Sequence, residues 1–127
     1  MSDSIKSLLI WICIVVLILF WLPMLALCRL FDRDPVRYRT GRLFRLLGKM
    51  MTRVNPGWRI RLEGLTDIDD RNPYIVVCNH LSNADIPVIS NLPWEMKWVA
   101  KKELFDIPIV GWMMKLAGDI SVNRRGK

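Results

Sequence analysis

The hydropathy pattern divides the chain into an unbroken apolar stretch, a helical repeat and a series of short segments that switch between apolar and polar. No charged residue occurs from Leu8 to Cys28, where Leu, Ile, Val, Phe and Trp dominate. As a helix this stretch would extend about 31 Å, enough to cross a hydrocarbon core of roughly 30 Å. Trp11 and Trp21 suit interfacial positions, and Pro23 is expected to kink or end the helix before the full span. Pro35 opens a second helix predicted to reach about Arg53. Its apolar positions Leu43, Leu46, Leu47, Met50 and Val54 recur at helical spacing, while Arg39, Arg42, Arg45 and Lys49 fill much of the remaining surface. Pro56-Gly57 breaks that helix.

Trp58 to Glu63 alternates apolar and charged residues, as a half-buried strand does. Gly64 ends it, and an acidic loop over 67–72 leads through Pro73 to Tyr74–Cys78, an unalternating run expected to be a strand buried on both faces. Ser82 or Asn83 is the expected cap of a short helix near Asp85-Ile86-Pro87. Met96–Ala100 reads as a third strand, Ile109–Ala117 as a helix with Gly118 as its C-cap, and Asp119–Val122 as a last strand delivering Asn123, Arg124 and Arg125. Strands alternating with helical segments predict an α/β layer behind two N-terminal helices. The expected organisation is an anchor at 1–28, a basic amphipathic interfacial helix at 29–55 and an α/β portion at 56–127.

Composition sharpens the reading of the first half. At 127 residues the chain allows one domain, and its formal net charge is +7. Between Arg29 and Arg53, eight basic residues stand against only Asp32 and Asp34. Lys and Arg crowd the cytoplasmic flank of membrane helices, so the rest of the chain is expected on the cytoplasmic side, in a bacterial inner membrane. A cleaved signal peptide competes with an anchor. However, Asp3 offsets Lys6 in the n-region, the apolar run is long, and the bulky Leu27 before Cys28 argues against lipoprotein processing. The basic helix fits the headgroup plane of an anionic membrane, the alternative being a surface helix packed on the domain. Its cations abut the anchor without a recognition motif, which disfavours nucleic acid as a partner. Cys13, Cys28 and Cys78 suggest no disulfide framework, with Cys78 expected in the buried strand.

The candidate chemistry lies in Asn79-His80-Leu81-Ser82-Asn83-Ala84-Asp85. It places the chain's single histidine where a strand exits into a loop, with an aspartate five positions on. A base able to take a proton near neutral pH, oriented by a carboxylate, suffices to deprotonate a hydroxyl. The structural alternative has Asp85 capping a helix and His80 bonded to a nearby carbonyl. One histidine and scattered cysteines lack metal-ligand spacing, and no glycine-rich nucleotide loop occurs, so no metal or cofactor is expected.

The His80-x-x-x-x-Asp85 run resembles the HxxxxD motif of the glycerolipid acyltransferases, above all the 1-acylglycerol-3-phosphate acyltransferase group. Lys101-Lys102-Glu103-Leu104-Phe105, Ile107-Pro108 and Gly111 look like the segment linking that family's first two motifs. Gly118-Asp119-Ile120-Ser121-Val122-Asn123-Arg124 is similar to its second motif. The resemblance covers residues 58–127. It implies an enzyme in phospholipid biosynthesis that moves an acyl group from an acyl-carrier-protein or coenzyme A thioester to the free hydroxyl of lysophosphatidic acid. His80 would be the general base and Asp85 its orienting partner. Arg124, helped by Arg125 and Lys101, would hold the acceptor's phosphate, and Asn79, Gly118 and Asn123 would support the motifs. For Arg124 the alternative is a solvated basic tail. The family's later Glu-Gly-Thr-Arg and proline motifs do not occur, which leads to the expectation of an amino-terminal portion of such an enzyme. The competing function is a non-catalytic membrane-anchored fragment that binds anionic phospholipid.

Overall fold

A computed structural model describes residues 3–69 and 71–123. A 29-residue helix α1, Asp3–Phe31, is followed by α2 at Tyr38–Val54, a short α3 at Asp85–Ile89 and strand β1 at Val99–Lys101. A 3₁₀ turn at Lys102–Asp106, helix α4 at Val110–Ala117 and strand β2 at Ile120–Val122 complete the order. The fold is α/β, with a long apolar helix ahead of a mixed helix and strand unit.

Helix α1 runs on past Pro23 rather than ending there. The turns around the proline are held from outside: Trp21 and Leu25 are buried and form a core cluster with Leu47 of α2 and Met113 of α4. The first half of α1 lies bare by contrast, with Leu8, Trp11, Val16 and Phe20 all more than half exposed. Helix α2 folds back along α1. The indole Nε1 of Trp21 donates to the carbonyl of Leu43 at 2.8 Å, while Leu43 and Met50 pack against the same cluster.

Helix α2 starts at Tyr38, not at Pro35. The Asp34 carbonyl accepts from the Arg37 N–H at 2.9 Å, closing a turn, and Arg37 adopts a left-handed conformation (φ 53°, ψ 44°). The first helical donors are met from outside, because Asp32 Oδ2 accepts from Thr40 N at 2.9 Å and from Thr40 Oγ1 at 2.7 Å. Three stripes then divide the helix. Leu43, Leu47 and Met50 face the α1 core. Gly41, Arg45, Gly48 and Thr52, spaced four, three and four residues apart, form a second face against the segment 87–97 and Asp119. Arg39, Arg42 and Arg53 stay exposed. Arg45 is thus a correction to the expected basic surface: it is buried.

The sheet contains two parallel strands, with Val99 beside Ile120, Ala100 beside Ser121 and Lys101 beside Val122. The third predicted strand, Met96–Ala100, therefore begins three residues later and ends one residue later than its pattern suggests. The connection between the two strands passes through the 3₁₀ turn and α4, a βαβ crossover. Helix α4 ends in a Schellman motif: Gly118 takes φ 80°, its N–H donates to the Lys115 carbonyl, and the Asp119 N–H reaches the Met114 carbonyl at 3.0 Å.

Two expected strands are absent. Trp58–Glu63 and Tyr74–Cys78 form no ladder among the described residues, and Ile75 and Val77 are 93% and 87% exposed. Cys78 is exposed too, rather than buried. An apolar run becomes a buried strand only when a neighbouring strand takes its N–H and C=O groups. Neither segment meets one here.

Candidate active site

The Asn79–Asp85 run closes on a single oxygen. Asp85 Oδ2 accepts from the backbone N–H of Leu81 and of Ser82, each at 2.8 Å, and lies 3.1 Å from His80 Nδ1. The Ser82 carbonyl accepts from the Asp85 N–H at 3.0 Å, and Ser82 Oγ from the Ala84 N–H at 3.1 Å. A spacing of five cannot put two side chains on one helical face. The chain solves this by turning at Leu81–Ala84 before α3 begins. The cap position of α3 belongs to Ala84, not to Ser82 or Asn83, and makes no side-chain bond.

The bonds to Ser82 and Leu81 N–H, and then to the imidazole, hold the Asp85 carboxyl below the ordinary carboxylate range. It is therefore charged at neutral pH. With Nδ1 donated to that charge, the neutral imidazole presents Nε2 as its free base nitrogen. The His80 side chain is 53% exposed, so a substrate can reach it. Asn79 is exposed beside it.

Helix α3 docks on the small-residue face of α2. A Cβ built on Gly48 would come within 2.6 Å of Ser90 Oγ and 2.7 Å of Ser90 Cβ. Asn91 Nδ2 donates to Thr52 Oγ1 at 3.2 Å and to the Pro87 carbonyl at 2.9 Å. The same face of α2 seats the other motif. Arg45 Nη2 donates to both oxygens of Asp119, at 3.2 and 3.1 Å, with the two side chains 6% and 0% exposed. Asp119 Oδ1 also accepts from the Trp98 N–H at 3.0 Å, and the Trp98 carbonyl accepts from Ile120 N at 2.7 Å. Burial pushes the Asp119 carboxyl up and the Arg45 guanidinium down, each against the pull of its partner. The Arg45 guanidinium lies over the rings of Phe44 and Trp98, 4.8 and 5.5 Å from their centroids. Burial also raises the Glu95 carboxyl, against Lys97, whose Nζ lies 2.8 Å away.

Of the residues predicted from sequence, His80 and Asp85 are brought together directly. Lys101 and Asn123 share the carboxyl end of the parallel pair, since Lys101 pairs with Val122, the residue before Asn123. Gly118 sits at the left-handed end of α4. Arg124 and Arg125 lie outside the described residues. What sequence reasoning passed over is Arg45, read as surface charge, and Asp119, read as the first residue of a strand. The signal that could have found Arg45 is Gly41–Arg45–Gly48–Thr52, a small-residue helical stripe on which a neighbour can sit closely.

A loop-held His–Asp pair ahead of a short parallel βαβ unit, behind a long apolar helix, defines a membrane-associating α/β protein. The family model described as Acyltransferase matches residues 59–127, and the chain belongs to that family. It is 30% identical over 92 residues to a chloroplastic 1-acyl-sn-glycerol-3-phosphate acyltransferase of Arabidopsis thaliana, covering 72% of this chain and 26% of that protein. It is 29% identical over 114 residues to the lyso-ornithine lipid O-acyltransferase of Rhizobium meliloti (strain 1021), covering 90% of this chain and 36% of that one. To the 1-acyl-sn-glycerol-3-phosphate acyltransferase of Saccharomyces cerevisiae (strain ATCC 204508 / S288c) it is 30% identical over 100 residues, covering 77% and 31%. The chain thus spans about a quarter to a third of the length of these relatives. No solved structure matches it.

Proposed function

We propose that the chain serves acyl transfer from a carrier-protein or coenzyme A thioester to the free hydroxyl of lysophosphatidic acid at a membrane surface. The observation that supports this most is the His80 Nδ1–Asp85 Oδ2 contact, locked by two backbone N–H groups onto the same carboxylate oxygen. In this reading His80 Nε2 takes the proton of the acceptor hydroxyl as its oxygen attacks the thioester carbonyl. The C–S bond then breaks, and the imidazolium returns the proton to the departing thiolate. Asp85 fixes the tautomer and offsets the cation. Arg124, Arg125 and Lys101 receive the acceptor's phosphate, with Asn79, Gly118 and Asn123 shaping the two motifs.

The membrane would be met on one side by the bare half of α1. The basic helix α2 runs back along one side of the second half of α1, while Leu27, Leu30 and Phe31 stay exposed on that half. This favours immersion in one leaflet, with exposed Arg39, Arg42 and Arg53 turned to anionic headgroups. The cytoplasmic side of a bacterial inner membrane fits the basic flank. Under this reading the units 1–28, 29–55 and 56–127 act as anchor, interfacial helix and catalytic portion.

Transfer of a radiolabelled acyl chain from each thioester, to lysophosphatidic acid and separately to lyso-ornithine lipid, tests the acceptor. The match extending over 90% of this chain is to a protein named for the second acceptor. Label in phosphatidic acid supports the proposal, and label only in ornithine lipid replaces its acceptor. Salt-sensitive binding to anionic vesicles without transfer to either would establish the non-catalytic reading.

A further inference from the structure

The chain carries a second apolar surface outside α1. Ile107, Val110 and Trp112 are 44%, 37% and 52% exposed, and Leu104 in the 3₁₀ turn is 40% exposed. They are gathered by a strained turn. Ile109 takes φ 67°, ψ −64°, and the Pro108 carbonyl accepts from the Val110 N–H at 2.8 Å, a classic γ-turn that β-branched residues rarely adopt. The turn tucks Ile109 against the α1–α2 core and leaves Ile107 and Val110 on the outside.

The surface adjoins the buried contact of α4 with α1. Met113 and Leu116 of α4 pack in the cluster that contains Trp21 and Leu25. Trp112 lies about 40° round the helix from Leu116, so it flanks the line of contact with α1 instead of facing away from it. Exposed Lys102, Glu103, Asp106 and Lys115 border the patch, and Lys115 lies about 60° from Trp112 on the outward face. An apolar patch centred on a tryptophan and ringed by charged side chains of both signs has the chemistry of a headgroup–acyl boundary.

We propose that the Leu104–Trp112 surface is a second membrane contact, inserting Trp112 and its neighbours into the leaflet that holds α1. The proposal rests on membrane attachment and is independent of catalysis. The chain is reconstituted in phosphatidylcholine–phosphatidylglycerol vesicles, with or without brominated acyl chains, and its emission is compared with that of Trp112→Phe. The component lost with Trp112 is expected to lose roughly half its intensity or more to the brominated lipid and to resist aqueous iodide. A component quenched by iodide alone places Trp112 in water and overturns the proposal. One quenched by neither shows cover by protein, such as a second copy, and overturns it as well. The unaltered chain gives a second readout: an acyl-chain diazirine lipid should leave adducts within 104–116. Adducts on α1 alone contradict the proposal.

Discussion

Arg45 and Asp119 lie 74 residues apart in sequence and meet in a buried ion pair, one guanidinium nitrogen donating to both carboxylate oxygens. The pair joins α2 to the turn that launches β2, and the same face of α2 seats α3 through Gly48 and Thr52. The two sequence motifs thus share one support. Removing one partner leaves a buried charge uncompensated. Arg45→Met or Asp119→Leu should each cost about 3–5 kcal/mol in unfolding experiments in detergent micelles. The double variant should cost clearly less than the sum. Strict additivity would mean that the pair is not coupled.

Gly48→Ala drives a methyl into Ser90. Because α3 begins at Asp85, the strain should reach the His80 loop. The expected loss is about 1–3 kcal/mol, with shifts in the Leu81 and Ser82 amide resonances. Unchanged resonances would separate the loop from its support.

Asp32→Ala removes the acceptor of both Thr40 bonds near the start of α2. A loss of about 1–2 kcal/mol is expected, comparable with that of a helix cap, and fraying should show as faster amide exchange at Thr40. An exchange rate like that of the parent would contradict the assignment.

Asp85 gives a pH prediction. Its carboxyl is held low by the Ser82 and Leu81 N–H groups and by His80. A group whose folded value is depressed contributes stability that is fully present above its unfolded value, about 3.9, and is lost as pH falls through the folded one. The Leu81 and Ser82 amide shifts should therefore hold down through the ordinary carboxylate range and change only below it. A change centred at an ordinary carboxylate value would refute the bonding pattern.

The long uncharged run, the apolar stripe of α2 apart from Leu46, which is exposed, the α4 helix with its Gly118 cap and the last strand were all legible because local pattern decides them. So was the His80–Asp85 pairing as a candidate, since the motif itself carries it. Trp58–Glu63 and Tyr74–Cys78 were misread for the same reason: alternation and apolarity state what a segment would bury, not whether a partner stands beside it. Arg45 escaped because charge on a helix defaults to solvent, and only the distant Asp119 reverses that. The Arg37 turn that delays α2 depends on Asp34 closing it, which overrode the usual place of proline at a helix start.

The most direct test of the catalytic account is acceptor-dependent release of free thiol from an acyl thioester, with the chain in vesicles containing lysophosphatidic acid. His80→Ala should lower that rate by about 10²- to 10⁴-fold while vesicle binding stays unchanged. Thiol release at the parent rate from His80→Ala would contradict the account.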